Sequence, residues 1–255
     1  MTSNPNEYVL FTAPNTCARV PTIALEEIGL PFQTRLIRFM RNEHTSESFR
    51  AINPKGRVPA LLCNGQALTE NVAILRLLAR RHPSAKLLPS VSSDLDDARQ
   101  IADLCYCSAT LHPIVTRIRI PTFFAEDATA QADVWRRAVV AMAVQFTLVE
   151  RRLSEGEWWY GSDWSIMDAY LNWCWFRVTG AGFDPTPFPG FAAHAERIAE
   201  RPSVQRALRR EQVDEDTLKT EGLLFIPPSP PVVTILSWQK ENALASPIEP
   251  TGRPL

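Results

Sequence analysis

Two short apolar runs, Ala60 to Cys63 and Gln66 to Leu68, are separated only by Asn64-Gly65. A two-residue connection needs positive φ at both central positions, which Asn and Gly adopt at little cost. The segment is therefore confined to a tight β-hairpin with a primed turn. The next residues are equally constrained. Val72, Ile74, Leu75 and Leu78 form a stripe at helical spacing. Arg80, Arg81 and His82 suit the negative end of the helix dipole, and Pro83 stops the helix. The stretch from Ala51 to Leu78 reads as loop, strand, turn, strand and then a helix that begins at Glu70 and Asn71.

Upstream, YVLFTA over residues 8–13 is β-prone and leads into Pro14-Asn15-Thr16-Cys17. The segment from Ala18 to Ile28 reads as a helix that buries Ile23, Ala24 and Leu25. Pro21 is tolerable there because it lies in or near the first turn, and Gly29 and Pro31 end the helix. Arg35 to Phe39 alternates like a strand, so the unit is strand–helix–strand with parallel pairing. The summed order, βαβ then ββα, is that of a thioredoxin-like domain.

The chain has 255 residues and 45% hydrophobic residues, enough to bury a real core. A net charge of −1 gives a nucleic-acid partner no electrostatic support. No apolar run approaches the roughly 20 residues of a membrane span, and MTSNPNEY lacks a signal-peptide profile, so the expectation is a cytoplasmic protein. The five cysteines are odd in number and scattered, which argues against a disulfide framework or a metal site. After the proline- and serine-rich stretch from Pro83 to Ser93, only helical patterns appear: 94–111, 130–153, 166–178, 191–201 and 203–211. The expected organisation is α+β: a thioredoxin-like domain over 7–88, an all-helical domain over 94–215 and a proline-rich extension over 216–255. In that extension, Leu223 to Trp238 is either a frayed tail or a segment packed on the surface.

Two details point to chemistry. Val58-Pro59 sets a proline, of a kind often cis, where a strand should begin. Thr69-Glu70-Asn71 places a carboxylate, an amide and free backbone N–H groups at one helix N-terminus. Together these groups can hold the ammonium and the carboxylate of an amino acid.

Asn53-Pro54-Lys55-Gly56, Val58-Pro59-Ala60-Leu61 and Leu68-Thr69-Glu70 resemble the glutathione-binding half of cytosolic glutathione transferases, with bacterial beta- and nu-type enzymes nearest. The resemblance runs from Tyr8 to about Glu211. It implies glutathione as co-substrate, bound by Val58, Pro59, Glu70 and Asn71, although the family usually has serine where Asn71 stands. Ser165-Ile166-Met167-Asp168 fits the family's capping box, a structural feature. Such an enzyme must hold glutathione as thiolate although the free thiol pKa is about 8.5. Donors and positive potential at a helix N-terminus serve that end. Aligned on the family, Cys17 falls where the beta class carries its cysteine, and Asn15 where many classes place serine or threonine. The candidate catalytic groups are, in order, Cys17, Asn15 and Thr16. Cys17 either hydrogen-bonds the thiolate or forms a mixed disulfide; a buried structural thiol is the rival reading.

The electrophile pocket is expected to involve Tyr106, Ser108 and His112, with Arg117 and Arg119 as candidates for an acidic substrate. The expectation is a homodimer that transfers glutathione to a hydrophobic, aromatic electrophile, with no metal, nucleic acid or membrane involved. A lignin-type β-etherase or dehalogenase is an alternative, and a non-catalytic binding or regulatory protein on the same fold is another.

Overall fold

In the computed structural model, which describes residues 7–226, the chain begins with a four-stranded sheet. Its strands are β1 (Tyr8–Thr12), β2 (Gln33–Leu36), β3 (Ala60–Cys63) and β4 (Gln66–Thr69), in the spatial order β2-β1-β3-β4. β1 pairs parallel with β2 and antiparallel with β3, and β3 pairs antiparallel with β4. The hairpin has positive φ at both Asn64 and Gly65, as a primed turn requires. Helix α1 (Arg19–Ile28) ends at Gly29, whose φ of 75° is the left-handed cap that Gly takes without steric cost. A short helix, α2 (Glu47–Arg50), precedes β3, and α3 (Asn71–Arg81) follows β4.

The rest of the described chain is mostly helical: α4 (Asp94–Cys105), α5 (His112–Arg119), α6 (Ala128–Leu153), α7 (Ile166–Thr179), α8 (Pro189–Ala199) and α9 (Pro202–Thr220). A wide π-type turn, Tyr106–Leu111, joins α4 to α5. Helix α7 is apolar on nearly all sides and is buried from Ile166 to Leu171. It starts at a complete capping box. Asp168 Oδ2 accepts from the Ser165 N–H at 2.9 Å and Oδ1 from the Trp159 N–H at 2.7 Å.

Three expectations need correction. The second strand lies at 33–36 and not at 35–39. Ile37 still donates to Thr12 at 2.8 Å, but Phe39–Arg41 then closes into a tight turn ending at Asn42, whose φ is 56°. The stretch between 83 and 93, whose proline and serine content reads as a linker, is anchored, because Leu87 is buried and its carbonyl accepts from the Ile166 N–H at 2.8 Å. The helix expected to stop at Glu211 runs on to Thr220, so the boundary at 215 falls inside it. No Gly or Pro interrupts residues 203–221, and burial of Leu218 anchors the added turns. Residues 227–238 of the expected packing segment lie outside the described residues.

Helix α9 is held against α1 by charge pairs as well as by apolar contact. Glu211 chelates Arg19 through Nε at 2.8 Å and Nη2 at 2.6 Å, and both side chains are largely buried. Arg206 and Arg210 share Glu26, and Arg201 reaches Glu27 at 2.7 Å. These contacts tie the helical region to the sheet domain through α1 and α9.

Candidate functional site

The Val58–Pro59 bond is cis, and β3 begins one residue later. The Cys17 thiol points at the Val58 carbonyl oxygen, 3.9 Å away, so the start of α1 faces the start of β3. Glu70 is the residue before α3 and has φ 74°, ψ 126°, an uncommon conformation for a side-chain-bearing residue. It leaves the Glu70 carboxylate exposed beside the first turn of α3, paired with Lys55 at 2.5 Å. Lys55 also donates to the Thr69 hydroxyl at 2.8 Å. A carboxylate and an ammonium thus border a helix N-terminus, a combination that suits an α-amino acid end group.

Asn71 behaves differently from the expectation for its side chain. It is buried, and Nδ2 donates inward to the Cys17 carbonyl oxygen at 3.1 Å. Its Oδ1 is buried without a partner. Only the backbone N–H at the start of α3 remains for a ligand in front of Glu70.

The three candidates at α1 also part company. Asn15 (φ 63°) is committed to α9: its N–H donates to Glu211 at 2.7 Å and its Nδ2 to Glu215 at 2.5 Å. The Thr16 hydroxyl donates to the Ala13 carbonyl at 2.6 Å, closing the turn. Cys17 stays aimed at β3, but burial pushes its thiol up to about 12, so it is a neutral S–H at physiological pH. The amides of Ala18, Arg19 and Val20 turn back on Thr16 and Cys17, and Pro21 has none.

On the helical side, His112 packs edge-on against Trp173, with ring centroids 4.6 Å apart. Burial, then the charges of Arg177 and Arg57, depress its pKa to about 4, so it is neutral. The Trp173 indole N–H reaches the Asn15 carbonyl at 3.4 Å, which ties α7 to the Cys17 loop. Tyr106 and Ser108 do not join this cluster. Tyr106 stacks on Trp159 and donates to the Gln145 carbonyl at 3.3 Å, while the Ser108 hydroxyl turns back to Cys105. Arg117 is spent on the Pro113 carbonyl and the Phe124 ring. Arg177 is absent from the expected residues. Its signal is a charge within the apolar run of α7, four residues after Trp173 and so on the same helix face. No group of three or more metal-ligating side chains occurs among the described residues.

Residues 16–81 match the sequence model of the family described as glutathione S-transferase, N-terminal domain. Over 204 residues the chain is 32% identical to the glutathione S-transferase GstA of Escherichia coli O157:H7, spanning 79% of this chain and 98% of that one. The chain belongs to the glutathione S-transferase family. Within that family it is also similar to a solved sphingomonad glutathione S-transferase complexed with glutathione. The identity is 30% and the TM-score 0.70, with 80% of this chain and 99% of that one covered. A maleylpyruvate isomerase from a Ralstonia species is 27% identical over 198 residues, 75% of this chain and 92% of that one.

Proposed function

We propose that this chain transfers glutathione to a hydrophobic electrophile. In this reading the tripeptide lies along the start of β3, its cysteinyl backbone against Val58 beside Pro59. Its γ-glutamyl end is held by the Glu70 carboxylate and by the Asn71 backbone N–H. The sulfur then points at Cys17, whose S–H acts as a hydrogen-bond donor to the thiolate. A neutral thiol already facing Val58 is suited to donate and poorly suited to form a mixed disulfide. Asn15 and Thr16 serve as positioning residues for that loop, and His112 with Trp173 forms a wall of the electrophile site.

Cys17 facing the Val58 carbonyl at the head of β3, with the Glu70 carboxylate near enough to act on that thiol, supports the proposal. A cytoplasmic homodimer with a sheet domain over 7–88 and helices beyond 94 belongs to the same reading. The sphingomonad relative's complex with glutathione supports the choice of co-substrate. The Ralstonia relative favours a second reading, in which glutathione assists an isomerisation and is regenerated.

Retention on immobilised glutathione, followed by turnover of a generic aryl halide, tests the proposal. The wild type is retained, and Glu70→Ala is not. Failure of the wild type to bind glutathione at all would leave the fold serving a non-catalytic partner role.

A further inference from the structure

Arg177 lies in the last turn of α7, on the face that Trp173 turns toward Asn15 and His112. It makes no hydrogen bond or ion pair to any described residue. Its electrostatic neighbours are Arg119, Arg19, Glu211 and Cys17. The one carboxylate among them, Glu211, is already held by Arg19 through two nitrogens. Arg119 arrives from α5 and donates Nη1 to the Gly180 carbonyl at 2.6 Å, just beyond the end of α7. Its Nε is buried and unpaired. Arg119 thus closes the C-terminal end of α7 within one turn of Arg177, and both guanidinium groups keep unspent donors. Burial and mutual repulsion lower the pKa of Arg177 to about 9, the response of a cation that lacks its anion. An arrangement of this kind costs the empty protein stability, because a desolvated charge without a partner is unfavourable.

We infer that Arg177, with Arg119 beside it, is the binding subsite for a carboxylate carried by the electrophilic substrate. The inference rests on the transferase reading above and deepens it, by naming an acidic electrophile as the second substrate. A planar carboxylate is the partner a guanidinium fork fits best, with two parallel hydrogen bonds. Neutral His112 and the Trp173 ring supply the apolar wall between the carboxylate and the sulfur. In the reaction the glutathione sulfur bonds to the electrophilic carbon. The leaving group departs with the bonding pair, and the thiol proton passes to solvent.

The test compares a chlorodinitrobenzoate with the chlorodinitrobenzene that lacks only the carboxylate, in wild type, Arg177→Gln and Arg177→Lys. The ratio of kcat/KM, acidic over neutral, falls about tenfold or more in Arg177→Gln and is partly restored by lysine. The KM for glutathione stays unchanged. A second measurement needs no turnover: dinitrobenzoate affinity, followed by quenching of the protein's tryptophan fluorescence, weakens about tenfold in the glutamine variant. Melting of the ligand-free glutamine variant at or above the wild-type temperature shows that it is folded. Equal losses for both electrophiles with unchanged dinitrobenzoate binding would overturn the inference. A raised glutathione KM would overturn it as well, by assigning the guanidinium to the tripeptide's own carboxylate. If no variant turns over any electrophile while dinitrobenzoate binding still depends on Arg177, the transferase reading fails and the anion site stands.

Discussion

Asn71 Nδ2 donates to the Cys17 carbonyl oxygen across 3.1 Å, linking the start of α3 to the start of α1. One buried bond thus couples the residue after Glu70 to the loop that presents the thiol. Asn71→Ala removes one of the two donors to that carbonyl, leaving the Val20 N–H at 3.2 Å, and costs about 1 kcal/mol of stability. Chemical denaturation measures the loss, and turnover falls further than glutathione affinity because the loop that aims Cys17 is loosened.

The Cys17 thiol is pushed up to about 12 by burial, and this predicts chemical inertness. In the folded, ligand-free protein Cys17 resists alkylation at mildly alkaline pH, whereas a reactive thiolate would be modified within minutes. Mass spectrometry after iodoacetamide treatment reads the difference. Cys17→Ala keeps glutathione binding and lowers kcat about tenfold, the cost of one weak donor to the sulfur.

His112 gives a pH dependence of definite sign. Its folded pKa of about 4 lies below the unfolded value of about 6.5, so the unfolded chain binds the proton first. The stability this neutral imidazole contributes is full above the unfolded value and is lost as pH falls toward the folded one. Replacement by Asn flattens that part of the stability–pH curve, measured by denaturant unfolding of both proteins. The groups that face the ring are Trp173, Arg177 and Arg57, with Glu70 opposing the two cations.

Arg19 and Glu211 form a buried bidentate pair, and Arg19 also lies 4.0 Å from the Phe176 ring centroid. Removing either partner alone strands a charge, so Arg19→Met or Glu211→Gln costs about 3–5 kcal/mol. Removing both costs less than the sum of the two. A double-mutant cycle in denaturant unfolding checks this. Because Glu211 also accepts from the Asn15 N–H, the single variants lower turnover too.

The range of each interaction decides whether the sequence reveals it. The hairpin at Asn64-Gly65, the α3 stripe and the Val58–Pro59 bond at the head of β3 are legible because they rest on local turn chemistry, periodicity and a resemblance to one family. Helix α5 falls between the expected helices at 94–111 and 130–153 and is missed, since a proline at its second residue reads as a stop although the first turn of a helix accepts it. The inward turn of Asn71, the capture of Asn15 by α9 and the bond from Trp173 to the Cys17 loop depend on partners 54 and more residues away. No local pattern encodes such contacts. Tyr106 and Ser108 enter the expected pocket by proximity to His112 in sequence, but the wide turn directs their hydrogen bonds elsewhere.

The central claim is that glutathione sulfur rests at Cys17 as a thiolate, and ultraviolet titration of the bound tripeptide tests it most directly. Bound to wild type, its thiol titrates at least about one unit below the free value of roughly 8.5, and Cys17→Ala moves it back toward that value. Titration at the free value in the wild-type complex, unchanged by Cys17→Ala, would contradict the account.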